Sequence, residues 1–449
     1  GMNNDWSEVV LENIVTKLGD GLHGTPKYSD EGEYHFINGN NLLNGRISFN
    51  DKTKRVDSSQ FEKYKKELTD RTIMVSINGT IGNVAFYNQE KVVLGKSACY
   101  FNLIDGVNKG FVRYVLESWI FQTYIESFST GTTIKNVSLK TMRGFTFNLP
   151  PLPEQKAIAK ILGDLDDKIE LNRKMNQTLE EMAQALFKSW FVDFDPVLDN
   201  AIAAGHEIPE ALQVKADKRK LVKEKADSPS LPKEIQNLFP NSFVFNEELD
   251  KWIPEGWEND KLGSKIVIKR GGSPRPIKDF VVDDGYPWLK IADATKEPSP
   301  YILRTREFIK KEGLKKTVYL DEGELILSNS ATPGLPKFLH IKACIHDGWL
   351  YFPKKEFFTD EYLYFLFLEL RELFISKGNG SVFTNLKTDI LRNQDVILPS
   401  LEIIETFTKI TKSYLKKLKK NRLQTETLTN LRDTLLPQLI SGKLRVPEA

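Results

Sequence analysis

The sequence predicts an α+β protein in which two similar α/β domains are joined by two long antiparallel helices that form a coiled coil. Three observations carry this prediction. A heptad pattern of apolar residues runs for about five heptads after residue 150, and the same pattern returns 249 residues later. Each copy of the pattern also follows a strand-rich segment of the same plan.

These patterns divide the chain into five parts. We predict a first α/β domain at residues 1–150, a first long helix at 151–194 and a linker at 195–250. A second α/β domain follows at 251–398 and a second long helix at 399–449.

The first domain contains short apolar runs that are separated by Gly and Asn turns. They predict strands at residues 33–38, 72–77, 83–87 and 92–94. A helix is predicted from Gly110 to Ser127, then a polar loop at 129–136 and a strand that leads into Pro150.

The first long helix begins with prolines and Glu154, because proline is tolerated in a first helical turn and an acid suits the helix dipole there. The face of this helix that would meet a partner helix, here called the seam, alternates two heptad positions. Its residues are Ile158, Leu162, Leu165, Ile169, Asn172, Leu179 and Leu186. In the second helix the first of these positions becomes Phe407, Tyr414, Asn421, Leu428 and Leu435. The other position is less apolar there (Thr411, Leu418, Thr425, Arg432, Leu439), so we expect that seam to drift.

The central asparagines of the two helices, Asn172 and Asn421, align with each other. They either pair across the seam and fix its register or face water beside it. Two unrelated amphipathic helices, each on its own core, remain the alternative to a helix pair.

The linker has no counterpart elsewhere in the chain. Asp193 to Pro196 is predicted as a helix stop, and residues 238–243 are apolar enough to dock on a core. The mixed-charge run at 215–227 predicts a solvated helix, with a DNA-contacting basic arm as the alternative.

The second domain repeats the plan of the first. Trp257 matches Trp6, residues 324–334 match 72–82, and a helix is expected from Asp360 to Ile375. The polar loop at 378–385 places Asn385 on Asn136. The order of strands and helices, here called the frame, repeats, whereas the loops between strands differ. This is expected of a duplicated module whose two copies recognise different targets.

Composition limits the possible functions. The net charge is only +2, so any nucleic-acid contact has to come from local basic patches. The two cysteines, Cys99 and Cys344, exclude a disulfide framework, and we predict buried strand positions at similar places in the two halves. No apolar run of 18 residues and no signal peptide are present, so a cytoplasmic protein without a membrane partner is expected.

No motif for catalysis is present in the sequence. The chain lacks a glycine-rich cofactor turn, a P-loop and the Pro-Asp with Glu-x-Lys of many nucleases. Its five histidines form no pair suited to a metal: His23, His35, His206, His340 and His346. We therefore predict no catalytic residue, no metal site and no cofactor.

The run from Leu149 to Glu180 closely resembles the first central conserved region of type I restriction–modification specificity subunits. Residues 187–196, 238–243, 253–257 and 435–444 are also typical of that family, so the resemblance covers nearly the whole chain. It implies a non-catalytic subunit with two target recognition domains, each of which reads one half of a bipartite, asymmetric site in double-stranded DNA.

The resemblance also implies partners. Methylation subunits, two of them, would modify adenine with S-adenosylmethionine, and restriction subunits would hydrolyse ATP and cut the DNA. The paired long helices would hold the two recognition domains apart, and their outer surface would bind the methylation subunits.

Candidate DNA-contacting residues are Lys, Arg and small polar side chains near predicted loop tips. They are Thr25, Lys27, Lys54, Arg55, Asn78 and Lys135 in the first domain, and Arg270, Ser273, Arg275, Lys278, Arg304, Arg306 and Asn385 in the second. A solvated surface position is the alternative for each. The cluster at 269–276 is the best candidate, because its glycines would let the backbone approach a phosphate.

Two other functions compete with DNA reading. One is a coiled-coil scaffold that holds two protein-binding domains without sequence-specific DNA binding. The other, a self-contained nuclease or methyltransferase, is disfavoured by the missing motifs.

Overall fold

The computed structural model describes residues 5–224, 231–377 and 385–446. Most of the polar loop predicted at 378–385, and residues 225–227 of the mixed-charge run, lie outside the described residues. The chain forms two compact units, one of Gly1–Leu171 with Gln424–Ala449 and one of Asn172–Leu423. Each unit therefore contains half of each long helix.

The α/β part of the first unit is built on a six-stranded sheet. In spatial order its strands are Val15–Asp20, Ala98–Leu103, Thr72–Ser76, Val84–Phe86, Gly45–Ile47 and Leu42–Leu43. A second sheet contains Val92–Leu94, Tyr34–Ile37 and Arg55–Val56. Two short pairs complete the unit, Ser7–Val10 with Thr146–Leu149 and Asn78–Gly79 with Lys135–Asn136. The strands predicted within 33–38, 72–77, 83–87 and 92–94 are thus confirmed.

The helix predicted from Gly110 to Ser127 is wrong in one respect, because it is two helices, Lys109–Glu117 and Trp119–Phe128. Ser118 between them is extended (φ −73°, ψ 158°), and its hydroxyl donates to the carbonyl oxygen of Val115 at 2.6 Å. Such a side-chain bond competes with the helical backbone. The remaining α-helices of this part are Ser58–Tyr64 and Leu139–Arg143.

The second unit contains two five-stranded sheets. One has the order Ile266–Arg270, Trp349–Lys355, Leu325–Ser328, Pro336–Leu339 and Tyr301–Ile302. The other has Val281–Val282, Glu307–Ile309, Tyr286–Leu289, Ala343–Ile345 and Val318–Leu320. Two-stranded pairs are Glu258–Lys261 with Asp395–Leu398 and Phe243–Asn246 with Lys251–Pro254. Its helices here are Leu262–Lys265, Ile291–Lys296, Asp360–Lys377 and Thr388–Arg392.

The same frame occurs in both units, which confirms the predicted duplication. Trp6 and Trp257 are both buried, and each precedes the strand that pairs with the last strand of its α/β part. Asn136 pairs with Asn78, just after the strand Thr72–Ser76. Asn385 bridges to Ser330, just after the equivalent strand Leu325–Ser328. The loops between these elements differ in length and sequence.

The two cysteines do not occupy equivalent places, contrary to the prediction. Both are buried in strands, but Cys99 lies in Ala98–Leu103, whose counterpart is Trp349–Lys355. Cys344 lies in Ala343–Ile345, which runs parallel to Tyr286–Leu289 as Val92–Leu94 runs parallel to Tyr34–Ile37. The two Ala-Cys pairs are therefore alike in sequence but lie in strands that do not correspond.

The long helices are Leu152–Phe191 and Leu401–Ile440. In the first unit, Ile158 and Leu162 share a buried core with Leu439 and Ile440. In the second unit, the ring of Phe187 lies 5.7 Å from that of Phe407. Asp166 also contacts Arg432 in the first unit, and Asn176 contacts Leu418 in the second, so within each unit the two helix halves are antiparallel.

The seam residues predicted from the heptads are buried or half-buried. Buried ones are Ile158, Leu162, Ile169, Asn172, Phe407 and Asn421; half-buried ones are Leu165, Leu179, Leu186, Tyr414, Leu428 and Leu435. The expected drift of the second helix is wrong, because Thr411, Leu418, Thr425 and Leu439 are all buried. The Thr411 hydroxyl donates to the Phe407 carbonyl oxygen at 2.9 Å, so a polar residue can occupy this seam.

The central asparagines meet in the seam of the second unit. Asn172 Nδ2 donates to the carbonyl oxygen of Asn421 at 3.4 Å, and Asn421 Nδ2 donates to Asn176 Oδ1 at 3.0 Å. Asn176 in turn donates to the carbonyl oxygen of Leu418 at 3.2 Å. Of the two alternatives left by the sequence, pairing across the seam is therefore the observed one.

Ionic groups fasten the long helices to the α/β part of the first unit. Asp166 accepts hydrogen bonds from Arg113, Tyr114 and Arg432, each at 2.8 Å. Glu154 accepts from the Trp6 indole at 2.9 Å and from two nitrogens of Arg445 at 2.7 and 2.9 Å. Burial alone would raise the pKa of Glu154, but the hydrogen bonds from Arg445 and Trp6 hold it below its usual range.

In the second unit, the corresponding ionic groups are different. Arg422 of the second long helix makes two hydrogen bonds of 2.8 Å to the carboxylate of Glu297. The buried Lys337 donates to the carbonyl oxygens of Glu297, at 2.7 Å, and of Ser299. Burial lowers the pKa of Lys337 to about 8.

The segment after the first long helix belongs to the second unit, and its mixed-charge run forms the predicted helix, Gln213–Lys223, with most of the described side chains of the run exposed. The helix stop is confirmed, since the long helix ends at Phe191 and the helix Asp195–Ala204 follows. The helix Gln213–Lys223 packs on it through buried Ala216, and Arg219 makes hydrogen bonds of 3.0 and 2.6 Å to Asp199. Phe239 is buried against Trp190, which confirms docking of 238–243.

Candidate nucleic-acid interface

A polar groove of about 600 Å³ opens in the second unit. It is lined by Ile268, Lys269, Arg270, Asn329, Asn385, Leu386, Lys387, Thr388, Asp389 and Arg392. The groove brings together two of the predicted residues, Arg270 and Asn385, with three further cations. A concave surface with this charge suits a polyanion.

Three distant segments build the groove. The end of the strand Ile266–Arg270 forms one side and the helix Thr388–Arg392 another. Arg392 donates to the carbonyl oxygen of Ile268 at 3.1 Å and also contacts Asp389 at 3.2 Å. The third segment is the turn after Leu325–Ser328, where the carbonyl oxygen of Asn329 accepts a hydrogen bond of 2.8 Å from the backbone nitrogen of Leu386.

Asp347 organises the neighbouring cluster of predicted residues. Arg270 Nε donates to the Asp347 carbonyl oxygen at 2.5 Å, and Ser273 Oγ donates to its carboxylate at 2.5 Å. The exposed Arg275 reaches the same carboxylate at 3.5 Å. The hydrogen bond from Ser273 holds the pKa of Asp347 below its usual range, so the acid is charged at neutral pH.

Packing within the fold explains the glycine at position 271, whereas the expectation from the sequence was close approach of the backbone to a phosphate. A Cβ at Gly271 would lie 2.3 Å from the carbonyl oxygen of His346, and one at Gly21 in the first unit would lie 2.2 Å from that of Gly95. These glycines therefore allow close contact between backbone segments. Close approach to a phosphate is not needed to explain them.

The other predicted residues of the second unit lie outside the groove. Lys278 and Arg304 are exposed. Arg306 is also exposed, and its Nε donates to Asp293 at 2.6 Å. These three stay candidates for phosphate contact elsewhere on the unit.

The first unit places its predicted residues in two groups. Asn78 donates to Asn136 at 3.1 Å, and Lys135 beside them forms an ion pair with Glu126. In the second group, Lys54 and Arg55 are exposed next to the strand Tyr34–Ile37. Thr25 and Lys27 are exposed on a loop, and the backbone nitrogen of Lys27 donates to the Gln60 side-chain oxygen at 2.9 Å.

A repeated arginine was missed by the sequence reasoning. Arg143 donates to the Leu18 carbonyl oxygen at 3.3 Å in the first unit, as Arg392 does to that of Ile268 in the second. Both arginines end the short helix before the last strand of the α/β part, so alignment of the two halves could have found them. Asn329, Lys387 and Asp347 carried no comparable signal.

In the part of the chain that the structure describes, no group of three or more His, Cys, Asp or Glu side chains could hold a metal ion. Over the same residues, no helix combines the length and apolar character needed to cross a membrane.

Comparison with known proteins identifies relatives of the whole chain. Residues 3–181 and 254–428 match the family model for the type I restriction modification DNA specificity domain. The MjaIX specificity subunit of Methanocaldococcus jannaschii is 26% identical over 99% of this chain and 94% of its own length. The HindI specificity subunit of Haemophilus influenzae is 31% identical over 70% of this chain and 72% of its own. The S subunit of a type I system from M. genitalium shares the fold, with a TM-score of 0.61 at 17% identity over 98% of both chains.

Proposed function

Because the chain belongs to the type I restriction–modification specificity subunit family, we propose that it reads a bipartite, asymmetric site in double-stranded DNA for a methylation and restriction complex. Each α/β part reads one half of the site. Two methylation subunits and the restriction subunits supply the catalysis, and this chain contributes no catalytic residue and binds no cofactor. Its place of action is the cytoplasm, where the chromosome is.

The observation that carries the proposal is the cationic groove of the second unit. Lys269, Arg270, Lys387 and Arg392 supply the charge for phosphate contacts, whereas Asn329 and Asn385 supply amide groups of the type that contact base edges. The first unit offers Asn78, Asn136 and Arg143 in the corresponding place. Different side chains on one frame support recognition of two different half-sites.

The long helices support a role as spacer and partner surface. Their buried asparagine contacts fix one register, and a fixed register is what a constant gap between half-sites requires. Several apolar side chains remain exposed on the helices, among them Leu171, Met182, Leu401 and Leu431. We propose this surface as the binding site of the methylation subunits.

The decisive experiment is co-expression of the chain with its methylation subunit in a methylation-free host, followed by mapping of methylated adenines across the genome. We expect one split motif with a constant gap. The purified chain alone, given S-adenosylmethionine and DNA, should transfer no methyl group. Absence of any methylated motif would favour a protein-interaction scaffold, and methyl transfer by the chain alone would contradict its non-catalytic role.

A further inference from the structure

Two asparagines of the first unit, Asn78 and Asn136, lie directly opposite each other on a short pair of antiparallel strands. Asn78 Nδ2 donates to Asn136 Oδ1 at 3.1 Å. This contact lies at the surface, with Asn136 exposed and Asn78 half-buried. A molecule from outside the chain can therefore reach the pair of amides.

Backbone hydrogen bonds fix the two strands against each other. The nitrogen of Val137 donates to the carbonyl oxygen of Ile77 at 2.8 Å. Thr130 and Asn136 exchange two more backbone hydrogen bonds, of 2.9 and 2.8 Å, which close the loop between them. Both asparagines are thus held on a fixed backbone, and their amides need little ordering when a ligand binds.

The pair leaves one acceptor and one donor group side by side. The contact between the amides uses one N–H of Asn78 and the oxygen of Asn136. Asn78 Oδ1 and the NH2 group of Asn136 make no other hydrogen bond among the described residues. An amide oxygen accepts and an NH2 group donates, so a ligand with one donor next to one acceptor matches the pair.

The frame does not need an amide at position 78. In the second unit Ser330 takes the place of Asn78 and bridges to Asn385, so the strand pairing forms with serine there. Asn385, the counterpart of Asn136, lines the cationic groove. The amide pair is therefore particular to the first unit, at the place that lines the groove in the second.

We infer that Asn78 and Asn136 together read one adenine in the half-site contacted by the first unit. This inference rests on the proposed DNA-reading function. In the major groove, adenine presents the N6 amino donor beside the N7 acceptor, whereas guanine presents two acceptors there, cytosine one donor and thymine one acceptor. The free amide oxygen accepts from N6 and the free NH2 group donates to N7, so adenine is the base that satisfies both.

The test uses the assembled complex of the full chain with its methylation subunits and the mapped motif. Each adenine of both half-sites is replaced in turn by purine, which lacks the N6 amino group, and by 7-deazaadenine, which lacks N7. We expect both replacements at one adenine to lower the affinity of the wild-type complex about tenfold. The Asn78→Ser and Asn136→Ser complexes should each lose the dependence on one of these two atoms, so that its removal costs less than about twofold.

The other half-site is the internal control, since its adenines should respond equally in the wild-type and variant complexes. Asn78→Ser introduces the residue of the second unit and should preserve the strand pairing. With the wild-type scan it decides the matter even if Asn136→Ser fails to assemble. If no adenine loses affinity on both replacements, or if both losses persist in the variants, this inference fails while the motif and the proposed function stand. Absence of a motif would overturn the proposed function and this inference with it.

Discussion

Asp166 on the first long helix offers a direct measurement of what holds the helices to the first α/β part. Its carboxylate is 16% exposed and accepts from Arg113, Tyr114 and Arg432. Asp166→Asn keeps the shape, removes the charge and turns an NH2 group toward a donor. Hydrogen bonds to a charged group contribute about 1.5–3 kcal/mol each, and asparagine keeps an acceptor for some of them. We therefore expect the free energy of unfolding to fall by about 2–4 kcal/mol.

The assay is urea unfolding followed by circular dichroism, with Asp164→Asn as the matched control. Asp164 lies on the same helix, but its side chain is 64% exposed and pairs with exposed Lys160. Its substitution should change stability by less than about 0.5 kcal/mol. Combining Asp166→Asn with Arg432→Met should cost less than the two changes separately, because they share one contact. Equal effects of Asp166→Asn and Asp164→Asn would refute this account.

Three further outcomes are expected. The buried Lys337 binds its proton less tightly when folded (pKa about 8) than when unfolded (10.5), so wild-type stability, relative to Lys337→Met, should rise by about 3 kcal/mol between pH 7 and pH 10.5; a flat difference would contradict the burial of its charge. Asp347→Asn removes a negative charge beside the candidate phosphate contacts, so affinity for duplexes of any sequence should rise about fivefold at low salt in fluorescence anisotropy; unchanged affinity would place the cluster away from DNA. Inserting seven residues after both Asn172 and Asn421 adds about 10 Å of helix and should lengthen the gap of the methylated motif by about three base pairs; altered half-site bases would contradict a spacer role.

The helices and the duplicated frame could be predicted because their signals are periodic or repeated. Heptads mark the residues that meet a partner helix, and the strand Thr72–Ser76 has an apolar centre, Ile-Met-Val, because it is buried at every position. The drift expected of the second helix's seam was wrong for a physical reason. Thr411 satisfies its hydroxyl within its own helix and Arg432 is paired with Asp166, so both tolerate positions that their polarity seemed to exclude.

The groove could be predicted only in part. Arg270 and Asn385 were found because arginine and asparagine at loop ends are common DNA contacts. Asn329 was missed because its place in the groove depends on contacts with Asp347 and Leu386, which come from other parts of the chain. A contact set by tertiary structure leaves no local pattern in the sequence.

The hydrogen bonds from Arg445 to Glu154 have a consequence for the order in which the chain folds during synthesis. The second unit is continuous, Asn172–Leu423, and can fold once the ribosome has passed it. The first unit needs the segment from Gln424 onward. The core that Ile158 and Leu162 share with Leu439 and Ile440 therefore cannot form until some 250 intervening residues have been translated. The half of the protein that is made first is thus completed last, and its apolar helix face lacks its partner on the nascent chain until then.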